Sequence, residues 1–294
     1  MRAGVSSVGR AKRSVAIIGP GRVGQALGKL LADAGVPISF VAARRPAAAR
    51  RAIGFIGRGT PLALNSPQLT HASILLLTTA DAALQPVARH LAALSSDWSG
   101  RVVLHTCGSL PSTVLQPLRR RGAAIGSLHP FQTIPSPLAG IRNLRGCFWG
   151  IEGDPAAREV AARWVKALGG LAFPLRASQK TLYHAAAFLV CPTLVTLMDR
   201  SAALLRHAGV PARIARPMLG RFVEETVRNF VELGGRSSLT GPAVRGDWPT
   251  IQRHLRALRR PFPDIIPLYL ALVRAMLCLT GRRPPQWLGR MLEQ

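Results

Sequence analysis

The stretch Val15-Ala16-Ile17-Ile18-Gly19-Pro20-Gly21-Arg22-Val23-Gly24 runs from four apolar residues into three glycines spaced G-x-G-x-x-G, and a helical pattern continues to Ala34. A strand, a glycine turn and a helix in that order make the first unit of a dinucleotide-binding sheet. Each glycine has its own task. Gly19 permits the tight turn, Gly21 lets the backbone approach a pyrophosphate, and Gly24 lets helix and strand pack closely. The helix start at Arg22 and Val23 supplies amide donors to an anion. The alternative is an ordinary turn in an α/β protein that binds nothing.

The pattern repeats downstream. Val36–Ala42, Ile74–Thr78, Val102–His105, Ala124–Leu128, Cys147–Ile151 and Leu171–Leu175 read as strands, with helices near 81–94, 112–121 and 155–168. Strands alternating with helices predict a parallel, doubly wound Rossmann sheet. From Ser178 the pattern is helical throughout, over about 178–208, 211–234, 248–259 and 264–280. The chain thus divides into a basic tail (1–13), a Rossmann NAD(P)-binding domain (14–176) and an all-α C-terminal domain (177–294) for substrate binding and dimerisation. Thr181–Met198, the longest uncharged run, contains Tyr183, His184 and Pro192 and reads as a buried helix rather than a membrane span.

The second strand of a Rossmann unit ends beside the adenosine ribose, where an acid favours NAD and an arginine pairs with the 2′-phosphate of NADP. Here that position reads Ala43-Arg44-Arg45, with no acid nearby. Guanidinium forks match phosphate oxygens, so Arg44 and Arg45 point to NADP(H). Both also fit a general excess of arginine. The formal net charge is +26, from 39 Lys+Arg against 13 Asp+Glu, and 35 of the basic residues are Arg. That excess is spread over both halves without a block, which suits solvated faces. A nucleic-acid binder would interleave aromatics, yet only 5% of residues are aromatic. No specific nucleic-acid partner is expected.

Ligands of such sheets sit outside the carboxyl ends of the strands. Three ends carry polar residues: Thr78 and Thr79 ahead of Asp81, Cys107 in His105-Thr106-Cys107-Gly108-Ser109, and His129 with Gln132 in Leu128-His129-Pro130-Phe131-Gln132-Thr133. Asp81 reads as a first-turn acid, Cys107 has no activating partner, and His129 and Gln132 could bond nicotinamide or substrate or be structural. Lys180, Tyr183 and His184 stand at i, i+3 and i+4, on one helical face. Burial would bring lysine and histidine toward the working range of acid–base chemistry. Lys180 or His184 would then donate a proton and His129 would orient, unless Lys180 is only a solvated residue at a capped helix start. Farther on, Leu239-Thr240-Gly241-Pro242-Ala243-Val244-Arg245-Gly246-Asp247 reads as a turn with Asp247 capping the next helix. Thr240 and Arg245 are candidate substrate contacts there, with Arg245 pairing a carboxylate. Four dispersed cysteines, without a C-x-x-C pair, argue against a zinc site or disulfide framework and suit a reducing cytoplasm. No signal-peptide core follows the basic N-terminus.

The motifs GPGRVG (19–24), LHPFQT (128–133), KTLYHAAA (180–187) and LTGPAVRGD (239–247), in this order, resemble Rossmann-like proteins that carry the C-terminal domain of unknown function 2520. That family is similar to the pyrroline-5-carboxylate reductase and 6-phosphogluconate or β-hydroxyacid dehydrogenase superfamily. The resemblance implies a helical second domain, often dimerising, and an active site in the interdomain cleft. β-Hydroxyacid dehydrogenases use a helix lysine followed one turn later by asparagine. Lys180 matches the lysine, whereas Tyr183 and His184 hold the asparagine positions, and Cys191-Pro192 stands where the family has Ser-Asn. The expectation is an NADPH-dependent reductase of a small, possibly anionic carbonyl or imine. The rival is a non-catalytic NADP(H)-binding or regulatory protein.

Overall fold

Four fully buried apolar residues, Val15–Ile18, form the first strand of the sheet, as the opening stretch requires. The computed structural model describes residues 14–293, so the expected basic tail lies outside the described residues. The order is β1 (Val15–Ile18), α1 (Arg22–Asp33), β2 (Ile38–Ala43), α2 (Pro46–Ile56), β3 (Thr60–Ala63), β4 (Ile74–Leu77), α3 (Asp81–Ala93), β5 (Val102–His105), α4 (Gln116–Arg119), β6 (Ala124–Pro130), α5 (Pro137–Asn143), β7 (Phe148–Gly153), α6 (Pro155–Ala167) and β8 (Leu171–Pro174). Seven helices follow: α7 (Lys180–His207), α8 (Ala212–Leu233), α9 (Gly235–Ser238), α10 (Pro242–Arg245), α11 (Trp248–Leu258), α12 (Ile266–Thr280) and α13 (Gln286–Glu293).

The strands form one sheet in the order β3-β2-β1-β4-β5-β6-β7-β8. Strand order reverses between β1 and β4, the crevice where Rossmann sheets hold their ligands. β1, β4 and β5 are buried at every residue, as befits strands covered on both faces. One apolar cluster, with Leu27, Leu30, Ile56 and Trp149, covers one face; the other face carries Leu84, Leu91, Trp98 and Leu115.

Two features of the sheet depart from the sequence reading. β7 runs antiparallel to β6, so the sheet is not wholly parallel. Between these strands lies only the seven-residue α5, which leaves no full crossover on the sheet. β3 was not expected either. Its sequence is Thr-Pro-Leu-Ala, with two exposed residues, and Pro61 is tolerated because β3 is an edge strand.

The chain forms two compact units, one ending at Cys191 and one beginning at Pro192. The division falls inside α7, past the boundary at 176/177 where the alternation of strands and helices ends. The first turns of α7 stay with the sheet because Lys180 is bonded to groups on the strand ends. α7 is not the buried helix expected from its apolar run. Its most apolar window is unburied, and Leu182, Val190 and Val195 are 70%, 62% and 65% exposed. By length and composition alone, Ala177–His207 and Pro263–Thr280 could cross a membrane. In the second unit a small core joins Ile251, Leu255, Val273, Leu277 and Leu288 from α11, α12 and α13.

Candidate active site

The glycine turn is built for close approach. Gly19 adopts φ +78°, and a Cβ there would lie 2.4 Å from Thr79 Cγ2. A Cβ on Gly24 would lie 2.3 Å from Thr78 Oγ1. That hydroxyl is fixed, since it donates to the Gly19 carbonyl at 2.8 Å. Thr78 therefore braces the turn from β4. Gly21 is different: a Cβ there would meet nothing nearer than the Gly19 carbonyl oxygen at 4.0 Å, so the space above it is open. Gly21 also begins α1 without a side-chain cap, leaving the first-turn amides of Arg22, Val23 and Gly24 to an outside acceptor. Thr79 Oγ1 is buried with no hydrogen-bond partner. An open backbone, uncapped amides and an orphaned hydroxyl at the sheet's switch point fit a dinucleotide.

Arg44 and Arg45 are exposed directly after β2, and Arg45 flanks the start of α2. Among the described residues neither makes an ion pair. They stand free at the end of the strand where a 2′-phosphate would lie.

A second cluster gathers at the ends of β5 and β6. Lys180 has no exposed surface. Its ammonium donates to the Cys107 carbonyl at 3.0 Å and to Ser127 Oγ at 2.7 Å, and lies 3.9 Å from Glu152 Oε1. Burial pulls the Lys180 pKa down, and the Glu152 carboxylate opposes that pull. Ser127 Oγ donates in turn to Glu152 Oε1 at 3.1 Å, and Ser112 Oγ donates to Oε2 at 2.9 Å. Ser127 and Glu152, 0% and 5% exposed, were missed from sequence. A carboxylate closing the apolar strand Phe-Trp-Gly-Ile-Glu-Gly was the available clue, because an ionised group inside a sheet must be paired.

One turn along α7 from Lys180, Tyr183 and His184 meet His129 of β6. His129 Nδ1 and the Tyr183 hydroxyl share a hydrogen bond of 2.8 Å, and His184 meets His129 edge-on at 5.9 Å. Gly108 makes room for both histidines, since a Cβ there would lie 2.6 Å from His184 Cδ2 and 2.7 Å from His129 Nε2. Burial and then the Lys180 charge pull His129 down to about 4 and the fully buried His105 to about 3. Both imidazoles are therefore neutral near pH 7. Burial pushes the Tyr183 phenol up, so it too keeps its proton. Nothing beside Cys107 activates it: burial raises its thiol, which contacts Ser109 Oγ at 3.3 Å, while Ser109 donates to Asp81.

Of the residues singled out in sequence, Lys180, His129, Tyr183 and His184 come together. Gln132 does not join them, because it is exposed and its Oε1 accepts from the neighbouring Thr133 amide at 2.8 Å. Thr240 and Arg245 belong to the second unit, where both are exposed. Asp247 caps α11 as expected, accepting from the Thr250 amide and hydroxyl at 3.2 and 2.7 Å. Among the described residues no group of His, Cys, Asp and Glu is arranged to hold a metal ion.

Residues 2–130 match the Rossmann-like domain, and residues 147–276 match the domain of unknown function DUF2520. No curated protein sequence matches the chain. Among solved structures, a candidate NADP oxidoreductase from Bacteroides fragilis is similar, with 23% identity, 92% of this chain and 99% of that one covered, and a TM-score of 0.74. A reductive aminase from Aspergillus terreus, in complex with NADPH and ethyl-5-oxohexanoate, has 18% identity over 91% and 94% of the two chains and a TM-score of 0.64. A pyrroline-5-carboxylate reductase from Coxiella burnetii has 15% identity over 92% and 99%, with a TM-score of 0.58. At such identities the likeness is one of fold.

Proposed function

The chain joins a Rossmann-like domain to a DUF2520 domain, and from that premise we propose that it is an NADPH-dependent oxidoreductase reducing a small carbonyl or imine. The observation that carries the reading is the pairing, within one unit, of an open glycine turn with a buried Lys180 that begins the same helix as Tyr183, the partner of His129. The shared fold with NADP-dependent reductases supports it. When bound, NADPH supplies a hydride. The chain's own residues then serve the atom left with the electron pair. The Tyr183 hydroxyl, protonated and hydrogen-bonded to His129, donates the proton to a substrate oxygen or nitrogen. His129 holds that hydroxyl in place, and His184 closes the other side of His129. The sealing of Lys180 moves its proposed role from proton donor to fixed charge. Its cation favours the negative charge that develops at the reacting heteroatom. Thr79 and the amides of Arg22 and Val23 bind the cofactor, and Arg44 and Arg45 take its 2′-phosphate.

We also infer a homodimer. On α8, Phe222, Phe230 and Val231 are 71%, 60% and 75% exposed, a stripe that another copy's apolar helices would cover. All four cysteines are free, which supports a reducing compartment such as the cytoplasm.

Charge reversal of Arg44 and Arg45 to Glu should weaken NADPH binding by about 2–4 kcal/mol, as two charge-assisted pairs are lost, and NADH binding by less. Fluorescence titration checks this, and wild-type protein that binds NADH as tightly as NADPH overturns the phosphate assignment. The second reading, a non-catalytic NADP(H)-binding protein, is favoured by one observation, the complete burial of Lys180. Tight NADPH binding without NADPH consumption across small ketones and imines would decide for it.

A further inference from the structure

We propose that Ser127 and Glu152 form a proton path that connects the Lys180 ammonium to a cleft beside the end of β7. This rests on the reading of Lys180 as the charge of the site. Lys180 is sealed from solvent, so its protons need a hydrogen-bonded way out. Of its two acceptors, the Cys107 carbonyl cannot pass a proton on. Ser127 Oγ can, because it accepts from Nζ at 2.7 Å and donates to Glu152 Oε1 at 3.1 Å. Glu152, though only 5% exposed, lines a cleft of about 310 Å³ with Ser112, Arg119, Asp154, Arg158 and Ala177. Ser112 fixes the carboxylate there through its backbone amide and its hydroxyl.

The steps balance. A neutral Lys180 amine takes the Ser127 hydroxyl proton, Ser127 takes one from a transiently protonated Glu152, and Glu152 regains it from water in the cleft. One proton enters and one positive charge appears on Nζ. The groups that face Lys180 are Glu152, Cys107 and Asp81, with His105 and His129 feeling its charge. Among them, Glu152 is the one joined to Lys180 through a hydroxyl. Lys180 can thus exchange its protons with water through this cleft without being exposed itself.

The chain has only four lysines, so ¹⁵N-lysine labelling yields four side-chain resonances. Exchange of the Lys180 ammonium hydrogens with water can be followed directly at acidic pH, without any substrate. Ser127→Ala and Glu152→Gln should each slow that exchange about tenfold or more, since the buried group then exchanges only through local opening. If either variant fails to fold, Ala177→Trp, which crowds the cleft mouth at an exposed position, should slow exchange as well. Unchanged exchange in the folded variants overturns the path, as does a Lys180 that never carries an ammonium. NADPH titration of the wild type separates the two claims. Absent cofactor binding would remove the proposed function and leave the exchange result standing.

Discussion

The sheet unit and the helical unit handle apolar residues in opposite ways. β1, β4 and β5 hide every residue, and two clusters, one on each face, cover the sheet from within the same chain. The second unit buries a small cluster on α11, α12 and α13 and leaves Met218, Phe222, Val227, Phe230 and Val231 of α8 at the surface. Water in contact with such a stripe is unfavourable by roughly 25 cal/mol per Å² of apolar surface. The contrast teaches that the chain covers both faces of its central strands itself, whereas it leaves apolar faces of α7 and α8 uncovered.

The largest test of that contrast is assembly. Light scattering at tens of micromolar should give a dimer, and Phe222→Glu with Val231→Glu should give a monomer whose sheet unit still melts cooperatively. A monomeric wild type would break the comparison. Next comes the buried ion pair of the sheet unit. Lys180→Met strands the Glu152 carboxylate and should lower stability in urea by about 3–5 kcal/mol, and adding Glu152→Gln should return part of the loss.

Acid should separate the units further. His105 and His129 titrate at about 3 and about 4 in the fold, below the ordinary 6.5, so the unfolded chain binds protons first. The stability they confer is complete above pH 6.5. It is lost as pH falls from 6.5 through the folded values, by about 3–5 kcal/mol for each histidine. His129→Gln should flatten that slope, and an unchanged slope would exclude His129 as its source. The smallest effect belongs to the helical unit. Asp247→Ala removes the α11 cap and should cost about 1 kcal/mol, seen as a small drop in Tm.

Sequence revealed the parts of this molecule that follow local rules. The glycine turn is legible because few residues other than glycine accept φ +78° beside Thr79. Lys180, Tyr183 and His184 are legible because helical periodicity puts them on one face. Ser127, Glu152 and Gly108 are not, because their meaning lies in neighbours far along the chain. Lys180 finds Ser127 across 53 residues and Cys107 across 73. The reversed β7 escaped notice for a related reason: alternation of elements fixes neither strand direction nor the route taken by a short connection. The exposed face of α7 was misjudged because an apolar run carries no mark of whether its own chain or another will cover it.

Helix α7 begins in one unit and ends in the other, and this sets where the gene can be cut. A fragment designed on the last strand would stop near Arg176 and leave out Lys180, so Glu152 would face an empty socket with no counter-ion. Such a fragment should be insoluble or misfolded despite carrying every strand and the whole glycine turn. A fragment carried through Cys191 keeps the lysine, the tyrosine and both histidines. Chimeras that exchange helical domains between relatives should therefore place their crossover inside this helix, after the last residue that the sheet holds.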